Sequence, residues 1–243
     1  MSLFYAYAIS VVIPTNASSY QLGSGNYVIT FANRAVADEW WRAITDIAKT
    51  DSNYVNITRV TPQLYNYDYS KINIATTISN ANKAQSFYDR VFFTPFSGAL
   101  SIIPLIDITD HISGTTYFIR SKISPDTFWY VDPSSSVVTA SKSHRTKFRI
   151  SYADNDNKKS NNVMINSDSI KITIAFEACS CNSNSAVFVQ SDGELEIKKK
   201  GTDFKFGDIV NQHGAFEIGE IATGTVDSAS IFKTADGEAW ELV

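Results

Sequence analysis

The second half of the chain repeats itself. Between Gly114 and Val243 one strand-rich pattern recurs three times, and few architectures accept the same demand three times over. Tyr117-Phe-Ile119, Ile172-Thr-Ile174 and Phe216-Glu-Ile218 each open a unit with apolar residues two apart, the period of a half-buried strand. Lys147-Phe-Arg-Ile150, Asp203-Phe-Lys-Phe206 and Ala239-Trp-Glu-Leu242 each close one. The first unit shows four β-prone runs between turn-rich gaps: Thr116 to Lys122, Phe128 to Val131, Val137 to Ser141 and Lys147 to Ile150. Asp192-Gly193 and Asp236-Gly237 precede the last strands of two units, where tight hairpins are expected. Three such units, the third shorter than the others, predict a closed threefold all-β domain over residues 113–243.

The first half reads differently. With 243 residues, two domains are expected, and residues 1–112 predict an α+β sandwich. Strands are expected over Leu3 to Ile13, Asn26 to Phe31, Tyr54 to Val60 and Leu100 to Ile106. Between them, Val36, Trp40, Ala43, Ile44 and Ile47 fall on one helical face, with Asn33 as N-cap. Asp38 and Glu39 suit the positive end of that helix, and Trp40 anchors it on the sheet. Trp41 points about 100° away, so it either borders the core or lies exposed, with packing favoured. A second helix is expected from Asn80 or Asn82 to Arg90, with Phe87 and Val91 inward. Tyr65, Tyr67 and Tyr69 share one face of an extended tract and read as a half-buried sheet surface. Asp107 to Ser113 forms a polar hinge.

Composition removes several functions. A formal charge of −4 and a pI near 5.4 argue against a nucleic-acid partner held by its phosphates. Leu3 to Pro14 is apolar, but no basic residue precedes Arg34, so this run reads as a strand rather than a signal. It is too short to cross a membrane as a helix. Cys179 and Cys181 are separated by one residue, which a disulfide cannot span without strain. Such cysteine usage fits a reducing compartment, so a cytoplasmic location is expected, although leaderless export is compatible with the same features. The histidines are His111, His144 and His213, and no HExxH, glycine-rich phosphate loop or GxSxG elbow accompanies them. The Cys-x-Cys pair offers two metal ligands of the four a structural site needs. No enzyme activity, metal or cofactor is expected.

Two local patterns resemble known families. The threefold recurrence resembles the β-trefoil superfamily, and Tyr117-Phe-Ile-Arg-Ser-Lys122 is similar to the opening of ricin-B-type modules in fungal lectins. The resemblance covers residues 113–243. It implies a non-enzymatic, lectin-like and defence-related protein whose partner is a carbohydrate or glycoprotein. Where ricin-type units close on Gln-x-Trp, this chain has Phe148, Phe204 and Trp240 without the glutamine, so the family's galactose site does not carry over. Trefoils also serve as protease inhibitors and self-assembling structural proteins, which makes a protein-binding module the alternative. Separately, Tyr27 to Ile44 is similar to the last strand and closing helix of a pleckstrin-homology domain. In that family the element ends the domain, whereas here it comes near the start, and phosphoinositide binding is not carried over.

A sugar site needs an aromatic plate for the apolar face of a ring and fixed polar groups for its hydroxyls. The first unit supplies both. Trp129 or Tyr130 is the candidate plate, and Asp126, Asp132, His144 and Arg145 are the candidate polar partners. Alternation sends Trp129 to the face opposite Phe128 and Tyr130, so one of these two sets belongs to the core. Charge is also uneven: residues 113–152 hold six Lys/Arg against two Asp/Glu, and residues 176–243 hold five against twelve. A basic patch facing an acidic remainder makes homo-oligomerisation a candidate property.

Overall fold

Alternation along the strands sets the inner face of each sheet, and those faces gather into two separate cores. The computed structural model describes residues 3–11, 25–79, 87–96, 109–132, 134–154, 162–175, 185–211, 213–219 and 228–243. The chain divides into two units, Met1–Asp110 and His111–Val243. Among the described residues most regular structure is strand, in three sheets, with two α-helices.

In the first unit, β1 (Phe4–Ser10), β2 (Tyr27–Phe31), β3 (Ile57–Thr61), β4 (Leu64–Tyr67) and β5 (Val91–Pro95) form one sheet in the order β3-β4-β1-β2-β5. The β1–β4 pair is parallel and the other pairs are antiparallel. Phe4, Ala6 and Ala8 face inward along β1, Ile29 and Phe31 along β2, and Tyr65 and Tyr67 along β4. Helix α1 (Arg34–Ala48) packs on this face. Asn33 caps it, its side-chain oxygen accepting from the Val36 amide at 3.0 Å. Trp40 is fully buried, with ring centroids 5.7 Å from Phe31, 5.3 Å from Tyr65 and 6.0 Å from Phe93.

Several expectations are corrected here. Asp38 and Glu39 lie beyond the first turn of α1 and form ion pairs, Asp38 with Arg34 and Arg59 and Glu39 with Arg90. Tyr54–Asn56 is a 3-10 turn rather than strand, because the Asn56 amide group donates to the carbonyls of Ser52 and Asn53. Tyr69 lies past the end of β4 and is exposed, while Tyr65 and Tyr67 are fully buried. Val91 does not end a helix but starts β5, whose five residues pair with β2. Phe87 and Val91 are nonetheless buried. Residues 80–86, 97–108, 155–161 and 176–184 lie outside the described residues. With them go most of the expected second helix, the Leu100 to Ile106 strand and both cysteines.

In the second unit the first repeat follows its expected pattern closely, as β6 (Thr116–Tyr117), β7 (Ile119–Ser121), β8 (Phe128–Val131), β9 (Val138–Ser141) and β10 (Phe148–Tyr152). Then come β11 (Ser169–Ile174), β12 (Ala186–Val189), β13 (Leu195–Lys198), β14 (Phe204–Lys205), a short α2 (Gly207–Val210), β15 (Gly214–Ile218), β16 (Ser228–Gly237) and β17 (Trp240–Leu242). The last strand, β17, returns to β7 near the start of the unit: Leu242 pairs with Ile119 and Trp240 with Ser121. One strand region from each repeat meets the other two. Val137 bridges Glu196, Glu194 bridges Phe232, and Ser228 to Ser230 pair with Ser141 to Thr139. The opening and closing residues of all three repeats share one core, in which Tyr117, Phe148, Ile172, Phe204, Phe216 and Trp240 are buried.

Gly193 sits at φ +94° in the turn joining β12 to β13, as its hairpin role requires. Gly237 does not form a hairpin. It ends β16 opposite Gly214, and its backbone lies so near Phe216 that a Cβ there would stand 2.5 Å from the Phe216 nitrogen and oxygen.

Candidate functional site

The strand β8 sorts its side chains by parity. Trp129 and Val131 point into the core, so Phe128 and Tyr130 lie on the outer face. Trp129 is fully buried, with ring centroids 5.8 Å from Phe148, 5.1 Å from Phe216 and 5.7 Å from Trp240. Both faces of its indole are therefore enclosed by protein. This corrects the expectation that Trp129 is a ligand plate, and Tyr130 is the aromatic that remains.

The link between β9 and β10 is held against β8 by Thr146. The Thr146 amide donates to the Trp129 carbonyl at 2.9 Å, and its hydroxyl accepts from the Val131 amide at 3.0 Å. With Thr146 buried, its exposed neighbours His144, Arg145 and Lys147 stand beside the outer face of β8. The His144 amide donates to Ser141 Oγ at 3.1 Å, and its ring nitrogen Nδ1 lies 2.9 Å from Ser143 Oγ. The imidazole then leans over Tyr130, with centroids 5.0 Å apart and planes at 33°.

Arg145 covers a second aromatic pair. Its guanidinium carbon is 4.6 Å from the Phe118 ring centre and 5.5 Å from that of Phe128, and Lys147 Nζ is 5.3 Å from Phe118. Phe118 and Phe128 meet edge to face at 6.2 Å. Each cation stacked on an aromatic face gains about 0.5–1 kcal/mol at an exposed site. Phe118 and Lys147 were not singled out from sequence. Their signal was present, since Tyr117 and Ile119 face inward and parity sends Phe118 outward.

The two acidic candidates have other tasks. Asp132 closes its own turn: Oδ1 accepts from the Ser134 amide at 2.9 Å and from its hydroxyl at 2.8 Å. These bonds hold the Asp132 carboxyl below the usual carboxylate range, the backbone N–H being the larger cause. Asp126 is exposed, in a loose pair with Lys142 at 3.6 Å. The structure thus brings Tyr130, His144, Arg145, Phe118, Phe128 and Lys147 onto one basic, aromatic surface, with Asp126 and Asp132 engaged in their own local contacts. Among the described residues no group of three His, Cys, Asp or Glu could hold a metal ion, and no helix is long and apolar enough to cross a membrane. No known protein-family model matches the chain, and no curated protein matches it significantly.

Proposed function

We propose that this chain is a non-catalytic carbohydrate-binding protein, with residues 113–243 folded as a β-trefoil and residues 1–112 as an α+β domain. The pairwise meeting of β9, β13 and β16, one from each repeat, supports the trefoil, as does the return of β17 to β7. The observation that carries the binding reading is the outward Tyr130 with His144 at 5.0 Å and Arg145 next to it. A sugar ring presents an apolar face of C–H groups and a rim of hydroxyls. Tyr130 offers an aromatic surface for the first, and His144 and Arg145 offer polar groups for the second.

The test is a glycan array probed with the full chain and with Tyr130→Ala and Arg145→Ala, each with its melting temperature recorded. The expected result is selective retention, competed by free sugar and reduced on the order of tenfold or more in Tyr130→Ala at unchanged stability. Retention by no glycan overturns the reading and favours a protein partner. Selective retention that survives both substitutions keeps a lectin but removes this surface as its site.

A further inference from the structure

The link that carries His144, Arg145 and Lys147 is built a second time in the next repeat. There the Thr202 amide donates to the Val187 carbonyl at 2.9 Å, and the Thr202 hydroxyl accepts from the Val189 amide at 3.0 Å. Thr146 holds to Trp129 and Val131 by the same two bonds at the same lengths. Counting from these matched bonds, Phe188 stands in the place of Tyr130, and Gly201 and Asp203 in those of Arg145 and Lys147. Ala186 and Thr173 likewise stand where the first repeat has Phe128 and Phe118. The second repeat therefore makes the same link with a glycine and an acid in place of two cations. The fold requires neither the cations nor the aromatic pair beneath them.

Arg145 and Lys147 are exposed, and among the described residues neither side chain has an ion-pair partner. Both rest on aromatic rings instead. The acids nearby are engaged: Glu241 with Arg120 at 2.7 Å, Asp126 with Lys142 and Asp132 within its own turn. A guanidinium lying over a ring keeps its N–H groups in its own plane, so its fork stays open to the two oxygens of an acid group. Phe128, under Arg145, and Tyr130 are two residues apart on one face of β8, roughly 7 Å. That is about the length of one hexose with its exocyclic group.

We propose that this surface is specific for acidic sugars. The ring rests on Tyr130, and a carboxylate or sulfate on the same sugar is held by Arg145 with Lys147 beside it. The inference rests on the carbohydrate reading and narrows it. Hydrogen bonds between two charged groups are roughly twice as strong as neutral ones, so an acid group gains here what a hydroxyl does not.

The test is a glycan array holding neutral, carboxylated and sulfated members, probed with the full chain at about 0.15 M salt to screen unspecific attraction. The retained members are expected to be acidic, each binding about tenfold or more tighter than its carboxyl-reduced or desulfated counterpart. Retention of carboxylated members, sulfated members or both supports the proposal and tells which acid group is taken. Arg145→Gly with Lys147→Asp installs the residues of the second repeat, and Arg145→Gln with Lys147→Gln removes charge at similar length. Each pair is expected to erase the acidic preference while unfolding stays cooperative. Tyr130→Ala is expected to weaken acidic retention on the order of tenfold. Selective retention of neutral glycans, or an acidic preference that survives both charge variants, overturns this proposal and leaves the carbohydrate reading standing. Acidic retention unchanged in Tyr130→Ala is charge attraction without a ring site and overturns it as well. Retention of no glycan overturns the carbohydrate reading and this proposal with it.

Discussion

The indole of Trp129 meets that of Trp240 edge to face, with ring centroids 5.7 Å apart, so the first repeat and the last strand touch at the centre of the second core. The two rings are equally buried but differently bonded. Trp240 Nε1 donates to the Phe216 carbonyl at 3.1 Å, whereas Trp129 Nε1 has no partner among the described residues. Replacing either by Ala is expected to cost roughly 3–5 kcal/mol through the cavity it leaves. Phe separates them. Trp240→Phe also removes one of the two hydrogen bonds the Phe216 carbonyl accepts, the other coming from the Glu238 amide, while Trp129→Phe removes a donor that bonds nothing among the described residues, so Trp240→Phe is expected to cost about 1 kcal/mol more. Urea unfolding midpoints compare the two directly, and equal costs would contradict the bonding difference.

Two glycines predict opposite mechanisms. Gly193 needs its positive φ, and Gly193→Ala is expected to cost roughly 1–3 kcal/mol in backbone strain. Gly237 needs no special φ, but an added Cβ meets the Phe216 backbone at 2.5 Å, which must give way and disturb the β15–β16 pairing. Gly237→Ala is therefore expected to destabilise at least as much as Gly193→Ala. It alone should speed hydrogen exchange at the Glu238 amide, which donates to Phe216 at 2.7 Å. Unchanged exchange there would show that the close approach is relaxed without cost.

The strands of the first repeat were legible because period-2 alternation and turn residues are local, and β6 through β10 need only those signals. Direction was not local. Parity separates Trp129 from Tyr130, but which of them faces the core depends on Phe148, Phe216 and Trp240, all distant in sequence. Strand β5 was hidden for the same reason, since Val91 to Pro95 becomes a strand by pairing with β2, which ends at Phe31, far back in the chain. Arg59 left no sequence signal: in Ile57-Thr-Arg-Val60 a charge at an inward position looks like an error in alternation until Asp38 and Asp110 arrive beside it.

That buried triad carries its own prediction. Arg59→Met leaves Asp38, only 7% exposed, with Arg34 as its ion-pair partner at 3.3 Å among the described residues, and is expected to cost roughly 3–5 kcal/mol. In an Asp38→Asn background the same substitution should cost less by at least about 1 kcal/mol, because the stranded carboxylate is gone. Additive costs in a double-mutant cycle of denaturant unfolding would mean that the two side chains are not energetically coupled.

The turn at Asp132 makes a prediction about pH. Its carboxyl is held below the usual range first by the Ser134 amide and then by the Ser134 hydroxyl. A depressed carboxyl binds fewer protons in the folded chain than in the unfolded one. Its contribution to stability is therefore complete above the ordinary Asp value of about 4 and is lost as pH falls through the lower folded value. Because these hydrogen bonds lie at the surface, solvent screening keeps that contribution small. Ser134→Ala removes the hydroxyl and keeps the amide, so the titration midpoint of Asp132 should rise part of the way to the ordinary value. The γ-carboxyl carbon shift of Asp132, followed by NMR from neutral to acid pH in both proteins, reads this directly. A midpoint that does not move assigns the whole effect to the amide, and one that returns fully to the ordinary value assigns it to the hydroxyl; either contradicts the shared bonding described here.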